Sequence, residues 1–254
     1  MTLLTLSALL AVVLLMTVHV VTPSLRFLDG SPRSAWLSIA GGVSVAYVFV
    51  HLLPELAAGE EHISRVVGGT GFAERHVYLI ALLGLASFYG LDRLAQISRS
   101  KRQGAPSGGG RGAEAASAGT SPAVFWIHMG SFAVYNALVG YLLLHREVMT
   151  LGALAFFAVA MALHFVVNDY GLNEEHKAPY RRVGRWVLVA SVLAGFLIGA
   201  VTAVSEAVIS ALTAFLGGGV ILNVLKEEVP SERQSRFWAF AFGMAGYAAL
   251  LLTL

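Results

Sequence analysis

Leu3–Val21, LLTLSALLAVVLLMTVHVV, runs for nineteen residues without one Asp, Glu, Lys or Arg. About 20 apolar residues in a helix cross the roughly 30 Å hydrocarbon core of a bilayer, so this stretch has the length and character of a span. No basic region precedes it and no small-x-small cleavage site follows it, so we expect a retained helix rather than a removed leader.

The pattern recurs seven more times. Apolar windows lie near residues 2–22, 35–57, 76–97, 122–144, 148–171, 184–202, 205–225 and 237–254. The whole chain is 57% hydrophobic and 13% charged, with a mean hydropathy of +0.72, far from a soluble domain. Unpaired backbone groups are costly in hydrocarbon, and these windows are too long for barrel strands, so helices are predicted. The expectation is an all-α, polytopic integral membrane protein with eight transmembrane helices, one membrane domain over residues 1–254. Residues 99–121, which include QGAPSGGGRGAEAASAGTS, are expected to form a flexible cytoplasmic loop after the third segment, too poor in apolar bulk to offset their ordering entropy.

Basic residues orient the chain. With the N-terminus outside, four inner loops collect Arg26 and Arg33; Arg93, Arg99, Lys101, Arg102 and Arg111; Lys177, Arg181, Arg182 and Arg185; and Lys226, Arg233 and Arg236. Only Arg65, Arg75 and Arg146 of the 17 Lys and Arg fall outside. Both termini are therefore placed outside, in a cell membrane, with a bacterial inner membrane as the expected setting. Gly41, Gly42 and Pro54 recur at a constant offset as Gly217, Gly218 and Pro230, in two segments of opposite orientation, a faint sign of an inverted repeat.

Composition also excludes chemistry. Cysteine is absent, so any metal must be held by His, Asn and carboxylates. The net charge of +2 is dispersed, which argues against nucleic acid and leaves membrane lipid as the surrounding partner. No HEXXH and no GxxxxGK motif occurs, and an enzyme is not expected.

Ionisable groups at membrane depth mark sites or paths. In MALHFVVNDYGLNEEH, the fifth segment carries His164 with Asn168 four residues on and Asp169 adjacent. An imidazole, an amide and a carboxylate suit a divalent cation of borderline softness, such as zinc, iron or manganese. They equally suit a polar lock between helices. In the fourth segment His128 and Asn136 share a stripe with Phe132, and His128 is expected at the depth of His164, giving a two-helix site of His128, Asn136, His164, Asn168 and Asp169. His62, His76, His145 and His176 are expected in water at segment ends or loops, and His19 is given no role. Glu206 and the Lys226–Glu228 run are read as water interfaces. In VFVHLLPELAAGEEH, Val48–His62, His51, Glu55, Glu60, Glu61 and His62 are expected at the outer end of the second segment, either as a cation-attracting mouth or because Pro54 ends the helix there and the charges solvate its terminus.

The eight-segment plan, the loop after the third segment, HLLPE at residues 51–55 and SALTAFLGGGVILNVLKEEVPSE at 210–232 together resemble the ZIP family of divalent metal transporters. The resemblance spans nearly the whole chain. It implies a 3+2+3 helix arrangement and a metal site between the fourth and fifth helices, with His-Asn-x-x-Asp-Gly on one and His-Glu-x-Pro-x-Glu on the other. The first pattern falls here on Phe132, Ala133, Asn136 and Ala137. In the second, His164 matches the histidine and Asp169 stands for the final glutamate, while Phe165 and Val167 replace Glu and Pro. His51 and Glu55 would attract cations at the outer mouth. The implied function is carriage of zinc, iron or manganese towards the cytoplasm. The alternative is a non-transporting protein of the same fold, a partner subunit or scaffold. Small-residue faces permit a homodimer.

Overall fold

A computed structural model describes residues 3–28, 34–67, 75–103, 122–145, 150–228 and 236–253. Among them every regular element is helical. Nine α-helices follow in order: α1 (Leu3–Val21), α2 (Ala35–Tyr47), α3 (Leu53–Val67), α4 (His76–Gln103), α5 (Pro122–Leu142), α6 (Leu151–His176), α7 (Arg185–Val201), α8 (Glu206–Glu228) and α9 (Phe237–Leu251).

Among the described residues seven spans are long and apolar enough to cross a membrane, α2 and α3 forming one of them, and α9 is a shorter apolar helix of 15 residues. Large apolar side chains face outward all around: Leu79 is 59% exposed, Phe242 74% and Trp238 82%. Such surface is stable only against lipid. The protein is an all-α polytopic membrane protein.

The second span is longer than expected. Pro54 does not end it. Its missing N–H and its ring disrupt a regular α-turn, and the chain responds by widening into one π-turn over Val48–Leu52, where the Leu53 N–H reaches back to the Val48 carbonyl. The helix then continues to Val67. The sixth span begins likewise with a π-turn, Tyr180–Gly184, next to Pro179. α4 reaches Gln103, so residues 99–103 of the expected loop are helical; residues 104–121 lie outside the described residues, as does Pro230 of the repeat.

α6 is the central helix, packed on α1, α2 and α8. The Thr150 side chain caps its start by accepting from the Ala153 N–H. It ends at Lys177, whose φ of 46° turns the chain ahead of Pro179. Three further pairs meet backbone to backbone at glycines. A Cβ added at Gly42 or Gly243 would overlap the facing backbone of α9 or α2. Gly84 and Gly218 do the same for α4 and α8, and Gly140 and Gly195 for α5 and α7. With no hydrophobic force between helices in lipid, such close approach is a main source of association.

The large apolar core fills the half of the bundle where α5 ends and α6 begins, around Tyr47, Tyr135, Phe157, Met161 and Val220. A smaller cluster, Phe125, Met129, Leu172, Tyr180 and Leu188, lies towards the opposite end. Among the described residues a cavity opens at that end.

Candidate functional site

A cavity of about 390 Å³ enters between the middle of α4, the last turns of α6 and α8 and the first turns of α5. Phe88, Phe132, Leu172 and Leu222 form apolar walls, and Asp92, His128, Asn168, Glu174, Glu175, Asn223 and Lys226 add polar groups. His128 is 3% exposed and His176 equally so. Their rings meet edge to face, Nδ1 of His128 lying 3.0 Å from Nε2 of His176. One of these nitrogens donates a proton to the lone pair of the other. The same Nδ1 is 3.5 Å from Oε2 of Glu175. On the other side of the ring, Nε2 is 3.7 Å from Oδ1 of Asp92, which is bound at 2.7 Å by Nζ of Lys226.

The five residues expected to form one site are divided into three groups. His128 joins His176 and Glu175. His164 and Asn168 join each other, the Asn168 amide donating to Nε2 of His164 at 3.0 Å. That bond puts the ring proton on Nδ1 of His164, a buried atom with no hydrogen-bond partner. Asp169 and Asn136 turn instead towards α1. Oδ2 of Asp169 is 2.8 Å from Nδ1 of His19, and Oδ1 of Asn136 is 2.8 Å from Nε2 of the same ring. The Asn136 amide donates to the Phe132 carbonyl at 2.7 Å, so its oxygen is the acceptor and His19 carries a proton on Nε2. Phe165 stacks on His19 with centroids 4.7 Å apart, sealing the trio. Phe132 is thus a wall of the cavity, and Phe165 covers the His19 ring.

The difference in depth has a simple origin. α6 runs to His176 rather than ending near residue 171, so His164 lies twelve residues, about 18 Å, from that end. His128 lies six residues, about 9 Å, into α5. It therefore meets the last turn of α6, and His176 is a buried helical residue rather than a solvated loop residue. The sequence carried a signal for this: extending the His164–Asn168 stripe by seven residues reaches Glu175, on the face that lines the cavity. His19 also carried one, since it continues the inward stripe of Ala8, Ala11, Val12 and Leu15 on α1.

At the opposite end the described residues pack more tightly. His51 lies in the π-turn, 3.7 Å from Glu55 and tilted against Tyr47. Only about 10 Å³ of space remains beneath, among Tyr47, Glu55, Phe157, Met161, Leu216 and Val220. His62 and His76 each hold a carboxylate: His62 pairs with Glu206 at 2.9 Å, and His76 with Glu60 at 3.2 Å. Glu60 also accepts the backbone N–H groups of His76 and Val77, satisfying orphan donors at the start of α4. His145 bonds the Gly199 carbonyl at 2.8 Å.

Compared with protein-family models and with curated proteins, the chain matches none. A functional reading therefore rests on residues and geometry.

Proposed function

We propose that this chain is a ZIP-like transporter of a divalent cation, zinc, iron or manganese, carrying it towards the cytoplasm. The observation that carries the reading is the cavity of about 390 Å³ lined by imidazole, amide and carboxylate groups at the end of the bundle that the Lys and Arg distribution assigns to the inside. In this reading both termini lie outside, and α9, at about 23 Å, closes an eight-span bundle.

The packing supports a 3+2+3 plan. Exchanging α1 with α7, α2 with α8, α4 with α9 and α5 with α6 turns the α2–α9 contact into α8–α4, and α1–α6 into α7–α5. The glycine echo obeys the same exchange, Gly42 facing α9 as Gly218 faces α4. Two such halves can rock against each other and open either end in turn. In this reading Asn168 lines the inner cavity, and His164, hydrogen-bonded to it, lies one turn deeper on the same face of α6. His51 and Glu55 stand at the outer mouth, where the Glu55 carboxylate favours cation arrival.

The test is uptake of Zn²⁺, Fe²⁺ or Mn²⁺ into proteoliposomes with a trapped fluorescent chelator. Uptake above protein-free liposomes that falls in His164→Ala is expected; uptake equal to protein-free liposomes for all three ions overturns the proposal. A second reading, a non-transporting protein of the same fold, is favoured by the sealed His19–Asp169–Asn136 trio. Such a protein would act as a partner subunit or scaffold.

A further inference from the structure

We infer that His128, Glu175 and His176 form a transition-metal site in the wall of the inner cavity. Asp92 positions His128 from behind, and Lys226 is a tethered cation that competes with the metal for Asp92's charge. The inference rests on the divalent-cation reading for the choice of ion, while the site itself is argued from geometry.

One ligand atom from each of the three residues lies within 4.8 Å of the other two. In a tetrahedral site with metal–nitrogen and metal–oxygen bonds of about 2.1 Å, donor atoms stand about 3.4 Å apart. Nδ1 of His128 is 3.0 Å from Nε2 of His176 and 3.5 Å from Oε2 of Glu175, close to that spacing before any side chain moves. A metal there replaces the proton now shared between the two rings, which leaves both nitrogens as lone-pair donors. Two imidazoles and one carboxylate select zinc, iron or manganese over the hard ions magnesium and calcium, which prefer all-oxygen shells. The cavity gives the fourth position to water or to an exchanging group.

The other face of the His128 ring explains Asp92. Histidines that bind metal through one nitrogen commonly donate the other N–H to a carboxylate, which fixes the ring and raises its basicity. Asp92 is the carboxylate 3.7 Å from Nε2 of His128. Its Oδ1 is meanwhile held at 2.7 Å by Lys226. Lys226 is 42% exposed along its side chain and Asp92 16%. The ammonium can therefore swing into water when a metal makes His128 the better partner, and Asp92 then closes the remaining distance. Entry of the metal and departure of Lys226 are one exchange of positive charge within the cavity.

The experiment titrates the full chain, in detergent or nanodiscs, with Co²⁺, whose visible d–d bands report tetrahedral coordination, and then displaces it with Zn²⁺. One tetrahedral Co²⁺ per chain is expected, lost in His128→Ala and His176→Ala. His128→Gln and His176→Gln, which keep a polar side chain, serve where the alanine variants fail to fold, and gel filtration and thermal melting check each. Asp92→Asn should weaken binding about 10- to 100-fold with the d–d bands retained. Lys226→Met should tighten it about two- to fivefold, the size of a partly exposed ion pair. Lys226→Arg should leave it unchanged, and Lys226→Met should have no further effect in the Asp92→Asn background. Absence of Co²⁺ binding by the wild type, or unaltered bands and affinity in the two glutamine variants, overturns the site. Equal affinities for the wild type and Lys226→Met overturn the competition. Co²⁺ binding without ion uptake in liposomes sinks transport and leaves the site standing; uptake without Co²⁺ binding does the reverse.

Discussion

Asp169 is buried to 0% exposure in a lipid-embedded bundle, and its charge is held chiefly by one imidazole from a helix 150 positions away. Breaking a buried pair by removing one partner is costly because the other charge stays behind, about 3–5 kcal/mol. His19→Ala should therefore lower the thermal unfolding temperature in detergent sharply, since it strips partners from both Asp169 and Asn136. Pairing it with Asp169→Asn should restore part of the loss, because no charge is then left unpaired; a double variant less stable than His19→Ala would contradict this account. The single residues show what the sequence could and could not tell. His164 with Asn168 was legible because helical spacing of four puts them on one face, and they are hydrogen-bonded. Asp169, one residue on, points about 100° away and pairs with His19 of α1, a distinction that adjacency in sequence conceals. His19 looked like an interface residue near a helix end. Only its membership of the small-residue stripe at Ala8 and Ala11 separates it from a lipid-facing position, and only a long-range contact reveals its partners.

At the scale of helices, apolar length gave the spans, and the glycines gave the contacts without naming them. Gly195 and Gly218 sit against the facing backbone, so a methyl group there must push two helices apart. Gly90, Gly130 and Gly246 have nothing within 4 Å of an added Cβ. Gly195→Ala and Gly218→Ala should each destabilise by about 1–3 kcal/mol, the cost of overpacking. Gly90→Ala, Gly130→Ala and Gly246→Ala should be neutral or stabilise by up to about 1 kcal/mol, because alanine is the better helix former. Melting of the five variants in one detergent separates the groups, and equal effects across all five would show that close approach is not what holds these helices. Helix ends were less legible. Pro54 carries the usual signature of a stop, but packing on either side of it rewards continuation, and one π-turn absorbs the defect at lower cost than breaking the span. At the end of α6 the titratable run Asn173–His176 resembled a loop, yet it is helix, and that difference moved the site from His164 to His176.

The described residues leave a large cavity at one end of the bundle and only a small space at the other, and the absence of cysteine makes this asymmetry measurable. Single-cysteine variants can be placed without background. Ser131 and Asn223 line the large cavity, whereas Thr213 and Leu216 border the small space around Phe157 and Met161. A charged, membrane-impermeant maleimide reacts only with a thiol that water reaches. Asn223→Cys and Ser131→Cys should react from the side bearing most Lys and Arg, in inside-out vesicles and not in right-side-out ones. Thr213→Cys and Leu216→Cys should resist from both sides while the inner cavity is open. If the two helix groups rock, any condition that closes the inner cavity should reverse this: protection at Asn223→Cys and reactivity at Thr213→Cys must then rise together, because one movement links them. Protection at both ends under every condition, with the protein otherwise folded, would mean a fixed bundle and would favour the scaffold over the transporter. Labelling of Asn223→Cys from the opposite side would invert the orientation derived from the basic residues, and the cavity would then be an outer vestibule rather than an exit.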